Sequence, residues 1–182
     1  ITYMGSPNPS TFLRLLDILT ADRELLVRSL ETGTLDRLEE LDRPLRDAIA
    51  ARLAPNPARA AVVGGPAEPT FATLWPGIRL VTTWTGGSCG IALDTLRPKL
   101  PAAAAVMELG YQSTECRGTI ALAAETPGGI PPLHHHFFEF VEQTAWDAGR
   151  REFLTLEGLQ SDTRYYIVVS TAAGLYRYFM ND

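Results

Sequence analysis

Apolar residues recur at helical spacing through the first third of the chain, then give way to β-branched and aromatic runs. Phe12, Leu15, Leu16 and Leu19 share one face of a helix that Asn8 caps, with Pro9 at its first position. Asp22 opens a second helix carrying Leu25, Leu26, Ser29 and Leu30, which stops at Gly33. The spacing predicts a third over 36–53, burying Leu38, Leu41, Leu45, Ile49 and Leu53. "APNPARAAVVGGPAEPT", with four prolines, is a connection holding one helical turn at 59–63, and a short helix follows at 70–74.

From "WPG" onward the periodicity changes. "IRLVTTWTGG" reads as a strand ending in a glycine turn, "CGIALDTLRPKL" as a helix disturbed by Pro98, and "AAAAVMELGY" as a further strand. That order is the one-dimensional form of a parallel, helix-covered sheet, whose ligands gather beyond the carboxyl ends of the strands. The remainder is antiparallel in texture: "GTIALAA", "HHFFEFVE" and "REFLTLEGL" are candidate strands. "TRYYIVVST" and "LYRYFM" pair as a hairpin with Gly174 at the positive-φ position. The expected class is α/β, a helix-covered mixed sheet with an N-terminal helical segment and a C-terminal antiparallel hairpin. Three stretches organise it: a helical segment over 1–54, a Pro/Gly-rich connection with a short helix over 55–77, and an α/β region over 78–182, all within one larger domain.

Composition narrows the function classes. Of the 182 residues, 46% are hydrophobic and 20% charged, as in a globular protein rather than a disordered one. A net charge of −5 without a basic cluster argues against nucleic acid as the partner. No apolar run approaches the ~18–20 residues of a bilayer span, so no membrane role and a cytoplasmic location are expected. Cys89 and Cys116 read as free thiols. Ending directly after "GLYRYFMND", the chain is expected to be a piece of a longer protein.

"YQSTE" supplies the candidate chemistry. Tyr111 can stack on a purine, the Ser113 and Thr114 hydroxyls can donate to phosphoryl oxygens, and Glu115 can hold Mg²⁺, which prefers oxygen ligands. Ordinary turn chemistry accounts for the same residues. Asp182 reads either as a ribose-binding carboxylate at a strand end or as an exposed terminal acid. Arg177, among aromatic neighbours, reads as a contact to an acid or phosphate or as a solvated strand residue. Adjacent strand residues point to opposite faces, so "HHH" at 134–136 does not converge on one metal ion.

These motifs, in their order, resemble one family. "YQSTECRGTIAL" is similar to the "YASSE" nucleotide motif of the auxin-responsive acyl-acid amido synthetases, and "LQSDTRYYIVVSTAAGLYRYFMND" resembles their "ELVVTTYAGLYRYRVGD" segment. "LWPGIRLVTTWTGG" and "HHHFFEFVE" follow the family's "LWPN" and "YFEF" stretches, so the resemblance covers nearly the whole chain. It implies part of the large N-terminal domain of an adenylate-forming ligase, which joins a small carboxylic acid to an amino acid at the expense of ATP. It further implies that Tyr111 lies in the adenine site, that Ser113 and Thr114 lie beside the α-phosphate, and that Glu115 binds Mg²⁺. Thr114 and Glu115 are then the catalytic pair, Asp182 holds the ribose, and Gly86 and Gly87 match the family's Thr-Gly turn beside the nucleotide. The family's "SSGTS" phosphate loop is not in these residues, and Phe179 stands where the family has Arg. The chain alone is therefore expected to be inactive. The rival reading is a non-catalytic binding or interaction module that keeps the fold.

Overall fold

The first long helix, α1 (Ser10–Ala21), starts one residue after the position the sequence suggests. Asn8 Oδ1 accepts the Ser10 N–H at 2.9 Å, and Pro9 occupies the cap position itself. Phe12 and Leu16, one turn apart, are buried. The structure, a computed structural model, describes residues 1–180. α2 (Arg23–Thr32) follows at once and closes on Gly33, whose φ of 68° lets its N–H return to the Ser29 carbonyl at 2.9 Å. At the start of α2 is a contact that periodicity does not reveal: Arg23 donates through Nε to the carbonyl of Val63, the last residue of a later helix, at 2.7 Å and through Nη2 to the carbonyls of Gly65 and Ala67. A cation thus meets the carbonyl-rich end of a helix, the favourable polarity.

The third expected helix is a correction. A 3₁₀ turn covers Leu38–Glu40, preceded by Arg37 at φ 64°, and α3 runs only Arg43–Ala50. Pro44 is the reason. Its missing N–H and its ring are tolerated in a first helical turn and not in an interior, so the helix begins beside it. None of the expected core leucines there is buried, and Leu45 is exposed.

α4 (Pro57–Val63) and α5 (Phe71–Leu74) match expectation and carry their own caps. Asn56 accepts the Arg59 N–H, and Thr70 with Thr73 forms a reciprocal capping box. Strand β1 (Tyr3–Gly5), too short to announce itself, pairs in parallel with β2 (Leu80–Thr83), Met4 opposite Val81. β3 (Ala105–Glu108) lies on the other side of β2. Between β2 and β3 runs α6 (Ser88–Leu96), which ends in a 3₁₀ turn, Arg97–Lys99, at Pro98.

The chain divides between Met107 and Glu108 into two compact units. In the first, the core joins Phe12 and Leu16 of α1, Phe71 and Leu74 of α5, Val81 of β2, Leu93 and Leu96 of α6, and Val106. Phe71 is fully buried, edge-on to Phe12 and stacked on Trp75. Thr83 is buried too, and its hydroxyl donates to the Pro7 carbonyl at 3.2 Å. Burying such apolar side chains contributes about 1.5–3 kcal/mol each. A cap contributes about 1 kcal/mol, so the core dominates the stability of these short helices.

The second unit is an antiparallel sheet of β4 (His136–Glu142), β5 (Tyr165–Thr171) and β6 (Tyr178–Met180), in that order. The expected β5–β6 hairpin is present, with Gly174 at φ 106°. α7 (Gln143–Asp147) carries Trp146 onto the sheet, where it stacks on Phe179 at 4.1 Å between centroids. Arg151 covers the Trp146 ring at 3.6 Å. Phe179 is thus part of an aromatic stack. "GTIALAA" and "REFLTLEGL" are not strands: each contributes a single bridge, Ile120 to Ile130 and Leu154 to Phe140. Pro127, Pro131 and Pro132 lack the N–H groups a longer ladder needs, and a 3₁₀ turn at Leu156–Gly158 ends the other. The parallel β1–β2 pair and the antiparallel β4–β5–β6 strands therefore fall in separate three-stranded sheets. Among the described residues, no helix is long and apolar enough to cross a membrane.

Candidate functional site

The "YQSTE" stretch folds into a tight hairpin within the second unit. Gln112 and Arg117 form its last bridge, and the Ser113 N–H donates to the Cys116 carbonyl at 3.0 Å, leaving Thr114 and Glu115 at the tip. Ser113 Oγ accepts the N–H groups of Glu115 and Cys116, both at 3.2 Å, so a short hydroxyl holds the turn that its own backbone begins. The base is equally constrained. Gly110, at φ 86°, sits against the Thr119 backbone, and Thr119 Oγ1 accepts the Tyr111 N–H at 2.8 Å. Gly118 offers no side chain, and the Tyr111 ring occupies the space a methyl there would need.

Burial sorts the residues by role. Cys116 is buried in the second core with Phe138, Phe140, Val169 and Met180, and Tyr111 packs partly buried against that cluster. Thr114 is exposed and Glu115 half-buried, so the tip presents its hydroxyl and carboxylate outward. The Glu115 carboxyl is held below its usual range, first by the Ser113 hydroxyl, then by its own backbone N–H and by Tyr178. Ser113 also lies 3.5 Å from the Cys116 carbonyl, and its single proton serves one acceptor at a time. Tyr178 donates to Glu115 Oε1 at 3.3 Å. Sequence reasoning missed Tyr178; the available signal was its place two residues before the end of a hairpin strand already singled out.

Gly86 and Gly87 lie in the first unit before α6, Gly87 at φ 55°. Asp182 lies outside the described residues. Arg177 takes the acidic-partner alternative: Nε and Nη2 form a fork onto the two oxygens of Glu139, both at 2.9 Å, and the guanidinium covers Phe153. Its φ of 48° is unusual for a non-glycine residue, and its N–H donates to Ser170 Oγ at 3.0 Å. Both cysteines are free thiols. Among the described residues no group of three or more His, Cys, Asp or Glu could hold a metal. His136 Nδ1 is buried and has no hydrogen-bond partner among the described residues.

An α/β architecture with a parallel strand pair in one unit and an antiparallel sheet with a hairpin in the other is the class defined here, and solved structures share the fold. The whole chain superposes on 34% of "GH3.15 acyl acid amido synthetase" with a TM-score of 0.81 at 23% identity. A second structure, "AtGH3.15 acyl acid amido synthetase in complex with 2,4-DB", gives 0.80 at 22%. The chain belongs to the GH3 family: residues 1–103 match the GH3 family N-terminal domain, and residues 130–182 the GH3 family central domain. The hairpin at 110–118 falls between the two matches. Over 98% of its length the chain is 27% identical to "Probable indole-3-acetic acid-amido synthetase GH3.1" of Oryza sativa subsp. japonica. It is 26% identical, again over 98%, to "Indole-3-acetic acid-amido synthetase GH3.6" of Arabidopsis thaliana. It spans about a third of these relatives, 31% and 33% of their lengths.

Proposed function

We propose that this chain is part of an ATP-dependent acyl-acid amido synthetase. The enzyme converts a small carboxylic acid and ATP to an acyl-adenylate and pyrophosphate, and the amine of an amino acid then displaces AMP to form the amide. The observation that carries the reading is the pair of family matches, which follow in order over most of the chain, with relatives named as amido synthetases.

The hairpin geometry supports the residue assignments. Mg²⁺ commonly takes one or two carboxylates and completes its shell with water and substrate phosphates. The outward, readily ionised Glu115 suits that use without a cluster of protein ligands. The ion would supply charge neutralisation on phosphoryl oxygens. Thr114 stands beside Glu115 at the exposed tip, placed to donate to a phosphoryl oxygen, while Ser113 spends its hydroxyl on the turn and so positions both. Tyr111, held by Gly118 and the core, would offer its ring to adenine. Gly86 and Gly87 would bring backbone to the nucleotide, and Asp182 would take the ribose. The three stretches of the chain, 1–54, 55–77 and 78–182, would belong to one nucleotide-binding domain. Two free thiols accord with a cytoplasmic enzyme.

The test is ATP–pyrophosphate exchange by the full-length gene product with a panel of carboxylic acids and Mg²⁺. Exchange dependent on one acid, lost in Glu115→Gln, is the expected result. Undiminished exchange in that variant would remove Glu115 from the metal site. No exchange with any acid would favour the non-catalytic module.

A further inference from the structure

Among the described residues β6 pairs only with β5, over three positions, so local anchors decide where its side chains point. Just before it, Arg177 holds a left-handed backbone, φ 48°, which an L-residue adopts at a cost and keeps only where its surroundings impose it. Three contacts impose it here. The Arg177 N–H donates to Ser170 Oγ, the guanidinium forks onto Glu139, and its Cζ lies 4.0 Å from the Phe153 ring centroid. The Glu139 side chain is only 15% exposed, and a carboxylate so far withdrawn from water needs its partner, which fixes the guanidinium in turn. By register, Glu139 shares a face of the sheet with Val168 and Phe179, while Phe138, Val169 and Tyr178 share the other. Arg177 is therefore pinned from one face, and its neighbour carries a phenol onto the opposite one, where Tyr178 donates to Glu115 Oε1 at 3.3 Å.

We infer that Glu139 and Arg177 are positioning residues for the Glu115 carboxylate and act through Tyr178, a role that rests on Glu115 being the Mg²⁺ ligand proposed above. A lone carboxylate that shares an ion with water and phosphate oxygens gains from being held in one rotamer beforehand, because that ordering is then not charged to binding. The phenol supplies the restraint through one hydrogen bond and leaves the carboxylate further lone pairs for the ion. A rigid ring moves with the backbone that carries it, and the anchor one residue earlier sets that backbone. Without the step through Tyr178 the Glu139–Arg177 fork would be a strand staple and nothing more.

The test is calorimetric titration of the full-length gene product with ATP, in Mg²⁺ and in EDTA, with no carboxylic acid present so that no chemistry occurs. Tyr178→Phe and Glu139→Gln are each expected to weaken binding about three- to tenfold in Mg²⁺, the range one hydrogen bond spans, and to leave binding in EDTA unchanged. The double variant should be no weaker than the weaker single one, because both changes break the same path. Ser170→Ala, which frees the Arg177 N–H without disturbing the fork, should give the same loss confined to Mg²⁺, and it supplies the answer if Glu139→Gln does not fold. Undiminished affinity in Glu139→Gln, a loss that persists in EDTA, or full additivity in the double variant would each overturn the assignment. Wild-type protein whose ATP affinity ignores Mg²⁺ would remove the metal role of Glu115 and this role with it. A Mg²⁺ effect lost in Glu115→Gln but intact in Glu139→Gln would overturn the positioning role alone.

Discussion

Ser113 shows how one small side chain sets both a turn and a charge. Its oxygen accepts two backbone N–H groups, and its proton is the largest influence holding the Glu115 carboxyl low. A carboxylate whose pKa is depressed in the folded state stabilises the fold above its unfolded value, here the usual 4.5, and loses that contribution as pH falls through the folded pKa. Ser113→Ala should therefore raise the Glu115 pKa toward 4.5, so that its charge disappears sooner on acidification. Carboxyl-carbon NMR titration of both proteins measures it; an unmoved titration would mean that Tyr178 and the backbone suffice. At this scale the sequence drew attention to the hairpin and missed Tyr178, because a phenol 63 positions away becomes a partner only when strands are paired.

Element boundaries follow local chemistry closely where caps are strong. α2 ends on Gly33 because the left-handed turn there costs an L-residue roughly 1–2 kcal/mol and because the turn is crowded. A methyl at that position would lie 2.5 Å from the Pro55 nitrogen and 2.6 Å from the Ala54 carbonyl carbon. Gly33→Ala is expected to cost more than the roughly 1–2 kcal/mol of conformational strain alone. Urea unfolding measures the difference, and a loss below that range would show that the 54–55 backbone yields freely. The same locality explains the error over 36–53: the leucines recur at helical spacing, but one proline decides where a helix can begin. Apolar periodicity was satisfied by a 3₁₀ turn and a shorter helix that bury none of them.

Across the molecule, each unit has its own apolar core, and the largest fully buried side chain, Phe71, belongs to the first. Replacing it with alanine is expected to cost about 3–5 kcal/mol, as large-to-small core changes do. Urea unfolding read at the Trp75 indole reports on that unit, and a shift equivalent to less than about 1 kcal/mol would mean that the surrounding residues collapse into the space. Two family matches in chain order, over about a third of the length of the relatives, place these cores within a GH3 protein.

Capping residues, helical apolar spacing and the β5–β6 turn were readable from the sequence alone because each acts within a few residues of itself. That locality also made "YQSTE" recognisable as one chemical group. What the tertiary structure decided are the encounters between distant segments: the parallel pairing of Tyr3–Gly5 with β2, the fork of Arg177 on Glu139, Tyr178 on Glu115, and Arg23 across the end of α4. Such contacts depend on which strand edges and helix ends the cores bring within about 3 Å of one another, and no periodicity along a chain encodes that choice.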